Sequence, residues 1–166
     1  MDVGLEVIEF AKTMLAGSDD VAKWTEPIDR GFKWWSSDLC QTIWAEPVFV
    51  RDGVPEARIH IRTPLVRDVD WSRGTYVGLN GVMGKSSMCG LVAYPDPTYL
   101  LYAASVTVRE ATFETASWLS HVISCQATQA RWFLTQFLPR LGSSRVRKKA
   151  EIFLSARSSL EVEALR

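Results

Sequence analysis

Three groupings of residues in this chain have types that could do chemistry. The first is Gly84-Lys85-Ser86 within "YVGLNGVMGKSSMCGLVAY", which has the ending of a phosphate-binding loop. Such a loop needs a glycine separated by four residues from the Gly-Lys-Ser and a helix directly after it, so that backbone amides converge on phosphate oxygens. Leu79 occupies the glycine position, and the residues after Ser86 follow a strand pattern. The segment reads as a glycine-rich hairpin loop, and no nucleotide is expected. The second grouping is Arg58, His60 and Arg62, which alternate with Ile59 and Ile61. In a strand these three side chains share one face, either as the wetted side of an antiparallel sheet or as contacts for an anionic ligand. Proton transfer by His60 would need a partner group that spacing does not reveal. The third grouping is Cys89 and Cys125 with His60 and His121, of which only Cys125 and His121 stand four apart, as helical neighbours do. No spacing selects a cysteine–histidine nucleophile, and the chain has no GxSxG, HExxH or paired-glycine motif. No catalytic residue, metal ligand or cofactor is therefore assigned.

Composition narrows the class. Nineteen basic and nineteen acidic residues cancel in 166 residues, which leaves none of the strong positive field of a general nucleic-acid binder. Cys40, Cys89 and Cys125 are odd in number and form no CxxC pair. That pattern suits a reducing, cytoplasmic setting better than a disulfide framework or a zinc site. The N-terminus mixes acids with apolar residues and has no basic n-region, and no apolar run approaches the ~20 residues of a membrane span. A soluble, unsecreted chain is expected.

The elements that would position these residues follow from periodicity. Leu5, Ile8, Ala11, Met14 and Leu15 recur at helical spacing, with Gly17 as the stop and Ser18 with its two aspartates as a restart. Thr25 then reads as an N-cap, with Pro27 in the first turn and Ile28, Phe32 and Trp35 on one face. From residue 41 the period becomes two. "QTIWAEPVFV" and "VPEARIHIR" flank Asp52-Gly53 as a hairpin, and Pro47 and Pro55 call for an edge strand or a bulge. "TYVGLNG", "SMCGLVAY" and "YLLYAASVTV" complete about five mostly antiparallel strands, with Pro95-Asp96-Pro97 turning between the last two. Residues 111–141 form a long helix capped near Thr112. It bears two apolar stripes: Leu119, Ile123, Ala127, Ala130, Phe133 and Phe137, then Trp118, Val122, Cys125 and Trp132. The fold class is α+β: N-terminal helices, a five-stranded antiparallel meander and a long helix packed on the sheet. Residues 1–142 make the domain. Residues 143–166 make a basic and polar helix, tail or linker, and the ending also suits a portion of a larger protein.

With "WAEPVFVRDGVPEARIHIRTPLV" between an N-terminal helix and a long apolar helix, the chain resembles the YbjN and type III secretion chaperone-like (TY-Chap) group over residues 3–141. That resemblance implies a non-enzymatic, homodimeric module that binds partner or client proteins across apolar patches or at a sheet edge. The second stripe of the long helix, with Phe113, Trp118, Val122 and Trp132, is the expected partner surface. The alternative is a small-molecule binding domain or enzyme with a pocket between curved sheet and helix. Tyr76, Tyr94, Tyr99, Tyr102 and Trp44 would line it, and Arg58, His60 or Arg62 would fix an anionic group.

Overall fold

The computed structural model describes residues 2–36, 39–67, 90–95 and 98–137. Helix α1 (Val3–Trp24) starts where the Asp2 carboxylate accepts hydrogen bonds from the amides of Gly4 and Leu5, satisfying donors that the first turn leaves open. Val7, Ile8 and Ala11 bury one side of it. The expected stop and restart do not occur, because the helix runs unbroken past Gly17 and Ser18. An interior glycine costs only ~1 kcal/mol against alanine, which a continuous hydrogen-bond ladder tolerates.

The second expected helix is a hairpin instead. Strands β1 (Thr25–Ile28) and β2 (Gly31–Ser36) pair antiparallel. Pro27 sits on an outer strand, where its missing N–H interrupts no inner ladder, and Phe32, Trp34 and Trp35 are residues that favour a pleated surface. The helical spacing of Ile28, Phe32 and Trp35 was coincidental; alternation sends Phe32 and Trp34 to the core side.

Strand β3 (Leu39–Ala45) buries Leu39, Gln41, Ile43 and Ala45 and turns Cys40, Thr42 and Trp44 the other way. Strands β4 (Phe49–Arg51) and β5 (Val54–Arg67) form the expected hairpin, with Asp52 at φ 53° and Gly53 at φ 79°, the left-handed pair a primed turn needs. Pro47 lies in the break between β3 and β4. Ala45 pairs with Ile59 but Phe49 pairs with Glu56, so one extra residue bulges there. Strands β6 (Gly90–Pro95) and β7 (Thr98–Val108) complete the sheet. The described residues hold seven strands, more than the five expected: six follow the antiparallel order β1-β2-β3-β5-β7-β6, and β4 pairs with β5. "TYVGLNG", Gly84-Lys85-Ser86, Cys89, Asp96-Pro97 and residues 143–166 lie outside the described residues.

Helix α2 (Phe113–Trp132) opens at Thr112, whose hydroxyl accepts from the Thr115 amide at 3.1 Å, and ends in a π-helical turn at Phe133–Phe137. Both helices cover the same sheet face. Their core joins Val7 and Ile8 with Ile43, Ile59, Ile61, Leu119, Val122 and Ile123, and each fully buried aliphatic side chain contributes ~1.5–3 kcal/mol. Gln41, Thr63 and Gln126 hydrogen-bond to one another beneath α2. Tyr102 is buried edge-on against Phe133 at a centroid distance of 6.1 Å. Of the expected pocket lining, Tyr76 and the side chains of Tyr94 and Tyr99 lie outside the described residues, and Tyr102 and Trp44 do not line one cavity together. Tyr102 is part of the helix-side core, while Trp44 lies on the opposite sheet face, and one cavity cannot take both.

Candidate functional site

The sheet face that no helix among the described residues covers carries the most organised group of their polar side chains. Its construction begins at Arg30, in the β1–β2 turn with φ 57°. The Arg30 guanidinium donates to the backbone oxygens of Ala45 and Glu46, both at 2.9 Å, and pairs with Asp2 at the start of α1. One side chain thus pins the turn, the helix start and the β3–β4 bulge. The Glu46 amide in turn donates to the Arg58 carbonyl at 2.8 Å, so the bulge holds Glu46 beside the Arg58–Arg62 row.

Glu46 Oε1 lies 2.7 Å from His60 Nε2, and His60 Nδ1 lies 2.7 Å from Ser105 Oγ. His60 pairs across the ladder with Trp44 on β3 and with Ser105 on β7, which is why the three meet. The Trp44 indole stacks on the imidazole, with centroids 4.9 Å apart and planes 20° apart, and the Arg62 guanidinium sits 4.8 Å from the Trp44 ring centroid. Arg58 stands 3.9 Å from Glu46. Among the described residues no carboxylate pairs with Arg62. The Arg58, His60 and Arg62 row expected from sequence is therefore on one face, and it gains Glu46, Ser105 and Trp44. Ser105 and Glu46 were not singled out from sequence: alternation within one strand can assign a side chain to a face, but only the register sets Ser105 opposite His60.

Electrostatics follow local contacts. Burial works to raise the Asp2 pKa, yet the hydrogen bond and charge of Arg30, with the amides of Leu5 and Gly4, outweigh it and hold the carboxyl below its ordinary value. Burial pushes the Cys40 thiol up to about 11, against a smaller opposing pull from Lys33. Cys40 is thus a poor nucleophile near neutrality. Cys125 Sγ lies 3.5 Å from His121 Nε2, the helical neighbour its spacing implied, but among the described residues no third group orients that pair. No cluster of three or more metal-ligating side chains occurs among the described residues.

The expected partner surface divides. Val122 is 2 % exposed and belongs to the core, because the helix turns it toward the sheet beside Leu119 and Ile123; it is not available to a partner. Trp118 and Trp132 are exposed but stand 14 residues apart, about 21 Å along the axis. Trp118 walls a shallow groove with Thr107, Arg109, Glu110 and Glu114. Phe113 is 71 % exposed at the helix start, rotated ~140° from Trp118 by the helical period. Phe10 was not singled out from sequence and Met14 was read only as one of the apolar stripe of α1, yet both are exposed; their flank position emerges only once α2 is placed beside them.

No family model and no curated protein matches the chain. Among the described residues no helix is long and apolar enough to cross a membrane.

Proposed function

We propose that the chain is a protein-interaction module, chaperone-like in receiving apolar side chains of a partner protein on its helical layer. Convergence at the α1–α2 seam supports this reading. Phe10 and Met14 are four apart on α1, Phe113 and Ser120 are seven apart on α2, and Met14 Sδ lies 3.7 Å from Ser120 Oγ. The spacing therefore aligns Phe10, Met14 and Phe113 along one rim. Single exposed apolar residues are ordinary, but three large ones aligned on one seam make a patch that suits a partner. A second copy of the chain is the first partner to expect, because a two-fold interface needs only one self-complementary patch. The helix–sheet–helix order is in keeping with the resemblance to the YbjN and type III secretion chaperone-like group, and with a cytoplasmic adaptor.

Native mass spectrometry at micromolar concentration tests this reading on the wild type and on Phe113→Asp. A wild-type dimer that becomes monomeric in the variant, with an unchanged melting temperature, supports the seam as the interface. A wild-type monomer removes the homodimer. If that monomer carries a small-molecule adduct, the second reading gains, an anionic ligand at the open sheet face. Arg62, a cation without a carboxylate partner among the described residues, favours that alternative.

A further inference from the structure

We propose that Ser105 is a nucleophile activated by His60, and that the open sheet face cleaves a carboxylic ester bearing an anionic group. This site lies on the side of the sheet opposite the helices and does not depend on the partner surface proposed above.

The argument is geometric. A carboxylate only accepts hydrogen bonds, so Glu46 requires the proton of the neutral imidazole to sit on Nε2. Nδ1 then presents its lone pair to the Ser105 hydroxyl, 2.7 Å away. That is the tautomer a general base needs, with the nucleophile on one ring nitrogen and an orienting acid on the other. Trp44 lies flat against the ring and leaves the His60 side chain 17 % exposed, while Ser105 is exposed. The base is sheltered and the nucleophile is reachable. Arg58 and Arg62 stand two residues to either side of His60 on the same face, so they flank Ser105 across the ladder. Arg62, over Trp44, can hold the anionic group of the substrate or the developing oxyanion.

The chemistry balances without a cofactor. Ser105 Oγ adds to the ester carbonyl carbon as its proton passes to Nδ1, and Glu46 stabilises the imidazolium. The carbon–oxygen bond to the leaving group breaks, and that alkoxide takes the proton from Nδ1. Water then adds to the acyl-serine, giving its proton to Nδ1, and Ser105 departs with that proton as the carboxylic acid is released. Ser105 and His60 are the catalytic residues here; Glu46 is a positioning residue.

The test treats the full chain with a fluorophosphonate probe near neutral pH and reads adducts by peptide mass spectrometry. Labelling is expected at Ser105, in preference to the exposed Ser117 and Ser124. It should vanish in Ser105→Ala, whose exposed hydroxyl can be removed without loss of fold, and slow by about 100-fold or more in His60→Gln. Glu46→Gln should slow labelling and Glu46→Asp should restore part of the rate, with melting temperatures unchanged across the set; a merely structural Glu46 would not show that rescue. With 4-nitrophenyl esters, Arg62→Gln should raise KM for an anionic acyl group more than for a neutral one. The inference is overturned if Ser105 labels no faster than Ser117 and Ser124, or labels equally well in His60→Gln.

Discussion

Asp2 and Arg30 show how much one ion pair can organise. Asp2 caps α1 and also pairs with Arg30, which in turn holds the carbonyls that shape the bulge under Glu46. Asp2→Ala should lower unfolding free energy by about 1 kcal/mol or somewhat more at neutral pH, the usual cost of a lost cap. The folded carboxyl lies below its ordinary value of 3.8. Its stabilisation is therefore complete above that value and is lost as pH falls through the lower, folded one. Urea titrations at neutral pH and in strong acid should show the gap between wild type and Asp2→Ala closing in acid; a constant gap would mean the charge is irrelevant. Cys40 offers a second check. With its thiol raised to about 11 from 9.0, it should react with iodoacetamide at neutral pH roughly 10- to 100-fold more slowly than an unperturbed thiol. Mass-mapped alkylation measures this directly. Neither residue was singled out from sequence as a site. An aspartate before a helix is a legible cap, but its partner Arg30 is 28 positions away, and no local pattern reports a contact of that span.

At the scale of elements, α1 approaches the sheet through small residues. A Cβ on Gly4 would stand 2.8 Å from the Ala57 methyl and 2.9 Å from the Ala45 methyl, closer than real carbon contacts. Helix propensity alone would favour Gly4→Ala by up to ~1 kcal/mol. Overpacking against two buried methyls costs about 1–3 kcal/mol and should win, so the variant should melt at lower temperature than wild type; a higher melting temperature would show that the helix shifts freely. The Asp52-Gly53 hairpin, the Pro47 irregularity and the Thr112 cap were all legible, because each depends on a few adjacent residues with special backbone or hydrogen-bonding chemistry. Residues 25–36 were misread. A stretch of 12 residues containing an early proline and three aromatic residues satisfies short helical and strand templates alike, and only pairing with β3 decides between them.

Across the whole molecule the two sheet faces have different fates. Among the described residues the helices seal one and leave an apolar rim at their seam, and no helix covers the other, which carries a polar and aromatic row centred on His60. Exchanging Phe10 and Phe113 together for serine should change unfolding free energy by less than about 1 kcal/mol in total, since exposed positions each contribute within ~0.5 kcal/mol. The same exchange should abolish dimer formation by sedimentation velocity, and a persistent dimer would place the interface elsewhere. The sequence by itself determined the α+β class, the alternation that puts Arg58, His60 and Arg62 together, and the first apolar stripe of α2. Those features depend on periodicity within one element. Only the tertiary structure decided which sheet face is covered, that Val122 is core while Phe10 and Met14 are rim, and that Glu46 and Ser105 meet His60. Each of these depends on strand register and helix placement, where residues distant in sequence become neighbours through backbone pairing and core packing that no single segment encodes.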